Sequence, residues 1–278
     1  MPSSPRALLY AKGYINLWPA LNTPVKNWQG QVVWLIGASS GIGAALAQQL
    51  LSNGAHVVLS ARRAEQLDIV ANGHQNARVM AFDASDKNAW DLMSTQVLQE
   101  FGSIDLVVFC AAKYQPERTW EVDAVDAQST LNINLLSVYQ GLQSILPDML
   151  KRRRGGIALV ASVAGYLGLP NASVYGPSKA ALINLAELMY TDLHPKDINV
   201  YLINPGFVST PLTAKNAFFM PAIQTPQQAA KAILSGMQSG RFEIHFPKRF
   251  TFFLKLLQCL PYRLRFCLLR QIAPKSSE

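Results

Sequence analysis

The sequence contains few residues of the kinds that build metal sites or disulfide frameworks. It has three cysteines and four histidines among 278 residues, and neither type recurs at the spacing of metal ligands. An odd number of scattered cysteines is typical of reduced thiols in a cytosolic protein. The apolar fraction of 50% can fill a core without cross-links. We therefore expect no bound metal and a cytoplasmic location.

Long uncharged apolar runs are missing as well. The apolar stretches near the start of the chain are interrupted by Lys12, Asn16 and Pro19, which does not fit the apolar segment of a secretory signal. The chain also lacks any run of about 20 uncharged apolar residues, the length needed to cross a bilayer. The sequence thus predicts neither a signal peptide nor a transmembrane helix.

Acidic residues are scarce at the end of the chain. Residues 245–278 contain seven Lys or Arg and one carboxylate, a net charge of +6, whereas the first 244 residues carry a net charge of only +2. A nucleic-acid-binding domain carries a basic face of its own, so we expect no nucleic-acid partner. The basic run Lys151–Arg154 follows a helical pattern and is better explained by the helix dipole than by a nucleic-acid patch.

Short apolar segments alternate with helical patterns between residues 30 and 246. This alternation predicts an α/β fold: one doubly wound, Rossmann-type parallel sheet with helices on both faces. We divide the chain into an N-terminal extension (1–29), a dinucleotide-binding catalytic domain (30–246) and a basic tail (247–278). Helices are expected at about 125–150, 174–193 and 226–239. The predicted strands are Val32–Ile36, His56–Ser60, Arg78–Phe82, Asp105–Cys110, Ile157–Ala161, Asn199–Ile203 and Glu243–Phe246.

A glycine-rich turn connects the first predicted strand to its helix. Glycines spaced as GxxxGxG allow a tight turn and a close approach of backbone N–H groups to a pyrophosphate at the helix N-terminus. A glycine string is weak by itself, but the strand before it and the helix after it make a dinucleotide site the stronger interpretation. The expected phosphate-binding residues are Gly37, Ser39, Ser40, Gly41, Ile42 and Gly43.

The end of the second predicted strand lacks the carboxylate that favours NAD. Arg62 and Arg63 stand there instead, and guanidinium groups suit the 2′-phosphate of NADP(H). The alternative is that both arginines are simply solvated. Asp83, after the third strand, is a candidate to bind the adenine amino group, although an exposed N-cap would look the same.

A YxxxK pattern marks the expected catalytic end. Tyr175 and Lys179 are four residues apart on a predicted helix, so the ammonium group can lie near the phenol and lower its pKa. A phenol tuned in this way can protonate a developing alkoxide. Ser162 follows the fifth strand, at the sheet edge where ligands of such folds bind. YxxxK alone occurs by chance, so the combination carries the prediction.

These motifs together resemble the short-chain dehydrogenase/reductase family over about residues 30–245. The resemblance implies that Tyr175 is the acid/base, that Lys179 also binds the nicotinamide ribose, and that Ser162 positions the carbonyl. It implies that Asn134 holds a water in the proton relay and that Arg62 confers NADP preference. Relatives often pair through the helices at 125–150 and 174–193, which implies a homodimer or homotetramer. Residues implied to line the nicotinamide side are Pro205, Gly206, Val208 and Thr210.

One segment departs from the family pattern. Phe109-Cys110-Ala111-Ala112 stands where the family has Asn-Asn-Ala-Gly. The segment shapes the adenine-ribose side, so the departure puts the cofactor contacts there, including that of Ala111, in doubt. It leaves the chemistry of the Tyr-Lys-Ser group untouched.

The sequence therefore predicts an NADP(H)-dependent oxidoreductase that interconverts a carbonyl and an alcohol on an apolar, lipid-like substrate. Two alternatives stay open. A non-catalytic NADP(H)-binding sensor or scaffold usually loses the tyrosine or the lysine, and both are present here. A sugar-nucleotide epimerase or dehydratase is disfavoured by the GxxxGxG spacing and the short C-terminal region.

The basic tail is rich in aromatic and aliphatic residues. Thr251, Lys255 and Gln258 recur at i, i+4 and i+7 among Phe and Leu, and Pro261 separates this segment from a second one with three arginines. A pair of short, basic amphipathic helices fits a membrane interface, and with it a peripheral location on a membrane. The alternative is packing on the substrate cleft or on a partner subunit. Tyr10, Tyr14 and Trp18, in the N-terminal extension, are candidates to join the same apolar surface.

Overall fold

A computed structural model of the chain describes residues 19–272, without the side chains of the last two. The apolar N-terminal residues Tyr10, Tyr14 and Trp18 lie outside the described residues, as does most of the predicted extension 1–29. The core is a seven-stranded sheet in the order β3-β2-β1-β4-β5-β6-β7, and every adjacent pair is parallel. This confirms the predicted doubly wound fold. The strands are β1 (Val32–Ile36), β2 (His56–Ser60), β3 (Ala77–Val79), β4 (Leu106–Phe109), β5 (Gly155–Val160), β6 (Ile198–Pro205) and β7 (Glu243–Phe246).

Helices cover both faces of the sheet because its central strands are apolar on both sides. Along β1, Val33 and Leu35 belong to one buried cluster, whereas Trp34 belongs to the other. Helices α1, α2 and α7 supply the first cluster, and α3, α5 and α6 supply the second. The helices are α1 (Gly41–Ser52), α2 (Ala64–Ala71), α3 (Lys87–Phe101), α4 (Ala124–Leu131), α5 (Ser137–Arg152), α6 (Tyr175–Leu193), α7 (Pro226–Gln238), α8 (Lys248–Gln258) and α9 (Tyr262–Ile272).

Several strand ends differ from the prediction by one or two residues, and two predicted elements differ by more. The third strand was predicted over Arg78–Phe82, but β3 ends at Val79. The apolar pattern continues because Phe82 packs on Trp90, with ring centroids 5.0 Å apart, and not because the strand does. The helix predicted over 125–150 is interrupted by a π-helical turn, Asn132–Leu136, between α4 and α5.

The basic run Lys151–Arg154 ends α5 as expected and is partly neutralised by nearby carboxylates. Arg152 pairs with Asp148 at 2.7 Å, and Arg153 pairs with Asp197 at 2.7 Å. Arg153 takes a left-handed conformation, φ 51°, that ends the helix. These contacts support the structural explanation of the run.

The tail forms two short helices, α8 and α9, on either side of Pro261, as predicted. Their polar residues do not all face outward. Thr251 is fully buried, and Lys255 forms an ion pair with Glu243, which also accepts a 2.5 Å hydrogen bond from Tyr166. Helix α8 is therefore fixed to β7 by its polar side. Within residues 19–272, every helix is too short or too polar to cross a bilayer.

A buried histidine fixes the start of α8. Lys248 Nζ lies 3.1 Å from His245 Nε2, and Thr251 Oγ1 lies 2.5 Å from His245 Nδ1. An ammonium group can only donate, so Nε2 accepts and Nδ1 carries the proton. Protonation of Nε2 would break this bond and bring two cations together. Burial, together with the charges of Lys255 and Lys248, lowers the pKa of His245 to about 4.

We expect the stability of the fold to fall as the pH drops from about 6.5 to 4. The unfolded state binds a proton at His245 in this window and the folded state does not, so the free energy of unfolding decreases by on the order of 2 kcal/mol. Thermal unfolding of the wild type and His245→Asn across this pH range measures the effect. The variant should lose much of the slope, whereas exposed His74→Asn should keep it. Equal slopes in all three proteins would contradict the assignment.

Candidate active site

The glycine-rich turn after β1 is packed too tightly for side chains. A Cβ on Gly43 would lie 2.2 Å from the carbonyl oxygen of Gly37, and a Cβ on Gly37 would lie 2.5 Å from the backbone nitrogen of Ala111. Gly37 and Gly41 also have positive φ values, 94° and 57°. Glycine is therefore required for this path of the chain. It brings the first turn of α1 directly to the carboxyl edge of the sheet.

The start of α1 is open to an anion. Ser40 occupies the N-cap position, but its side chain makes no capping hydrogen bond, and the first turn contains no acidic residue. The helix dipole and the backbone N–H groups therefore favour negative charge there. Ser39, Ser40, Gly41 and Ile42 line a cleft of about 640 Å³ that continues along the sheet edge.

One end of this cleft is basic. Arg62 and Arg63 are exposed and line it, and Arg63 Nη2 lies 3.4 Å from Ser39 Oγ, so it reaches toward the glycine turn. Asp83 lines the same end and accepts hydrogen bonds from the backbone and side chain of Ser85. The alternative of Asp83 as a helix N-cap is wrong, because Asp86 caps α3.

The other end of the cleft holds the three expected catalytic side chains. Tyr175 begins α6, one turn before Lys179, and Ser162 follows β5. The Ser162 hydroxyl accepts a 3.1 Å hydrogen bond from the backbone N–H of Ala164 and lies close enough to the phenol of Tyr175 to lower its pKa. Lys179 Nζ lies 5.5 Å from the centre of the Tyr175 ring and donates a 2.8 Å bond to the carbonyl of Val160. The YxxxK spacing and the strand end thus bring these groups together.

Burial sets the protonation of this group. Burial raises the pKa of Tyr175, and the nearby Ser162 hydroxyl offsets this increase only in part. The expectation that the lysine cation brings this pKa down is not met here, because loss of solvation prevails. The Tyr175 phenol is consequently protonated at neutral pH and able to donate. Burial also lowers the pKa of Lys179 to about 8.

Asn134 lies in the π-helical turn behind the catalytic side chains. Its amide accepts a 2.7 Å bond from the backbone N–H of Lys113 and donates to the Lys113 carbonyl at 2.9 Å. It also donates to Ser178 on α6 at 3.0 Å. Asn134 is buried within this turn. Turns of the π-helical type are common at functional sites. Asn134 therefore links the loop after β4 to the catalytic helix.

The loop after β6 forms a further wall of the cleft. Pro205, Gly206, Val208 and Thr210 all line it. A Cβ on Gly41 would lie 2.9 Å from Thr210 Cγ2, so this wall packs on the glycine turn. A Cβ on Gly206 would lie 3.1 Å from Phe250 Cδ1. Helix α8 thus supports the wall from behind.

Some residues of the cleft were not singled out from the sequence. The ring of Tyr114 packs edge-on against Tyr175, with centroids 4.9 Å apart, and its hydroxyl donates to Asn216 at 2.8 Å. Lys215 donates a 2.8 Å bond to the Tyr114 carbonyl. Both belong to loops that meet only in the fold, and no local pattern marks them. The altered segment Cys110–Ala112 also lines the cleft, so Ala111 lies where it was expected.

Comparison with known proteins finds oxidoreductases of similar sequence and solved structures of similar fold. An uncharacterized oxidoreductase of Myxococcus xanthus is 31% identical over 229 residues, covering 81% of this chain and 90% of that protein. The 3-oxoacyl-(acyl-carrier-protein) reductase FabG of Thermotoga maritima is 29% identical, covering 77% and 85%. A short chain dehydrogenase/reductase of Burkholderia phymatum, solved in complex with NAD, has a similar fold with a TM-score of 0.75 at 22% identity, covering 91% and 99%.

A sequence profile described as short chain dehydrogenase matches residues 31–218, more than half of the chain. This region contains the glycine turn and the Ser162, Tyr175 and Lys179 side chains described above. The chain therefore belongs to the short chain dehydrogenase family, whose members are oxidoreductases that use NAD or NADP.

Proposed function

We propose that the protein is an NADP(H)-dependent oxidoreductase that interconverts a carbonyl and an alcohol on an apolar substrate. The observation that carries this proposal is the Ser162-Tyr175-Lys179 group, with Ser162 and Lys179 buried and Tyr175 half-buried, in the same cleft as Arg62 and Arg63. A single cleft thus joins a proton donor to the glycine turn and to two exposed arginines. The glycine turn, into which no Cβ would fit, suits a pyrophosphate that backbone N–H groups must approach closely.

The residues of the chain divide the chemistry among them. When bound, the nicotinamide ring supplies the hydride in reduction and accepts it in oxidation. Tyr175 donates its phenolic proton to the carbonyl oxygen, and Ser162 positions that oxygen by a hydrogen bond. The Lys179 ammonium favours the phenolate that results. Asn134, through its bonds to Lys113 and Ser178, holds the loop and helix around the path by which the phenolate regains a proton.

Two features support NADP(H) over NAD(H). The exposed guanidinium groups of Arg62 and Arg63 suit a 2′-phosphate, and no carboxylate stands at 61–63 to bind the ribose instead.

The raised pKa of Tyr175 keeps the phenol protonated and favours its use as a donor, which fits carbonyl reduction. We propose reduction as the working direction.

Apolar side chains near Tyr175 support an apolar substrate. The aromatic ring of Tyr114 meets the catalytic ring, and Ile133, Pro211 and Leu212 line the same cleft. A relative is named for the reduction of 3-oxoacyl groups, which are also carbonyls on apolar chains.

Assembly as a homodimer or homotetramer is likewise proposed, since Tyr139 on α5 and Leu188 on α6 are exposed on the two helices expected to pair.

A turnover screen tests the proposal. The full chain is incubated with NADPH or NADH and ketones and aldehydes of increasing chain length, and cofactor oxidation is followed by absorbance. We expect turnover with NADPH that increases with the apolar length of the carbonyl compound and is much weaker with NADH. Tight NADPH binding without turnover of any carbonyl compound would favour the sensor or scaffold alternative.

A further inference from the structure

Helices α8 and α9 expose large apolar side chains. Phe252 is 60% exposed and Leu256 is 65% exposed, and they are one turn apart on α8. Tyr262, Leu264 and Phe266 are similarly exposed on α9. We call the set the tail surface, and its members are Phe252, Phe253, Leu256, Tyr262, Leu264 and Phe266. Exposed apolar patches of this kind mark interaction sites.

The inner side of α8 is already occupied. Leu254 and Leu257 are buried in a cluster with Val163 and Leu167, and Lys255 is held by Glu243. The helix is thus anchored to the body by buried leucines and by the polar residues that an amphipathic helix usually turns to water. Within residues 19–272, these contacts direct the tail surface away from the body of the molecule. It is therefore available to an external partner.

The charge around the tail surface indicates the chemistry of that partner. Residues 248–272 contain six Lys or Arg and no carboxylate. Arg249, Arg263 and Arg270 are exposed, whereas Lys255 is bound to Glu243 and Arg265 donates to the carbonyl of Leu260. A second copy docked on this surface would bring two strongly positive tails together. An anionic surface would be attracted to it.

We propose that the tail surface docks on the interface of an anionic lipid membrane, with its aromatic and aliphatic side chains among the acyl chains and Arg249, Arg263 and Arg270 at the headgroups. Short helices with a strong apolar face and a basic polar complement bind membranes in this way, without spanning them. The inference rests on exposure, charge and anchoring of α8 and α9, and it does not depend on the proposed reaction.

Vesicle co-sedimentation of the full chain tests this docking. Phosphatidylcholine vesicles with and without phosphatidylglycerol are used at low and high salt. We expect most of the protein to pellet with the anionic vesicles at low salt and most to stay in the supernatant with phosphatidylcholine alone. Phe252→Ser/Leu256→Ser should weaken binding roughly tenfold or more. Ile69→Ser/Leu92→Ser is the matched control, since these side chains are 66% and 56% exposed elsewhere, and it should bind like the wild type.

A charge variant tests the contribution of the exposed arginines to membrane binding. Arg249→Gln/Arg263→Gln/Arg270→Gln should bind anionic vesicles more weakly and with a smaller dependence on salt. The inference is overturned if the wild type stays in the supernatant at low salt, or if the tail and control variants bind equally. It is also overturned if sedimentation velocity shows a dimer for the wild type and a monomer for the Phe252/Leu256 variant, while neither protein binds vesicles. Tyr175→Phe should bind vesicles unchanged, so a failed reaction and failed docking are distinguishable.

Discussion

Replacing Tyr175 with Phe is expected to lower the rate of carbonyl reduction by roughly 10²–10⁴-fold, the usual effect of losing a general acid. The substitution removes the hydroxyl on which Ser162 acts and leaves the half-buried ring in place. The fold and the affinity for NADPH should therefore change little. Steady-state rates with the best substrate of the screen, together with fluorescence titration of NADPH, measure the two quantities separately.

Tyr114→Phe provides the matched control. Tyr114 packs against Tyr175 but directs its hydroxyl to Asn216, so loss of this hydroxyl should cost far less activity. Lys179→Ala should reduce the rate and the cofactor affinity together, because the ammonium group serves both. Retention of most of the activity in Tyr175→Phe, or equal losses in Tyr175→Phe and Tyr114→Phe, would show that another group donates the proton.

Replacing Arg62 and Arg63 together with Ala is expected to weaken NADPH binding by about 2–4 kcal/mol through the loss of charge-assisted hydrogen bonds. The affinity for NADH, which has no 2′-phosphate, should barely change. Dissociation constants for both cofactors in the wild type and the double variant give this comparison directly.

A second adjacent pair of arginines serves as the control. Arg153 and Arg154 end α5 and pair with Asp197 and Asp105, at the opposite edge of the sheet from the cleft. Arg153→Ala/Arg154→Ala removes the same total charge and should leave the preference for NADPH unchanged. Equal losses for NADPH and NADH in the Arg62/Arg63 variant, or a wild type that prefers NADH, would contradict the cofactor assignment.

The strands could be predicted because strands buried on both faces of a parallel sheet are continuous apolar runs. Val32–Ile36 and His56–Ser60 have the same bounds in the sequence prediction and in the structure. The positions of Ser162 and Tyr175 followed from the same logic, since Ser162 comes directly after a predicted strand and Tyr175 stands at the start of a predicted helix. What was predictable is thus the part of the site that the order of strands alone determines.

The parts that were missed depend on contacts between distant segments. Apolar periodicity does not reveal the extra residue of a π turn, so the inward direction of Asn134 came only from the structure. The same limit applies to Tyr114, whose position depends on the loop that carries Asn216. In α8 the polar positions Thr251 and Lys255 were recognised, but their partners His245 and Glu243 lie on β7, and only the packing shows that this side faces inward.

Phe250 on the tail helix α8 packs closely against Gly206 in the wall of the cleft. A cofactor bound beside Gly206 and a membrane bound through α8, as proposed above, would contact opposite sides of this wall. If docking changes the affinity for the cofactor by some factor, thermodynamic reciprocity requires the cofactor to change the affinity for the membrane by the same factor. In that case, membrane and cofactor would act as effectors of each other, and the fraction of the protein at the membrane would report how much cofactor is bound.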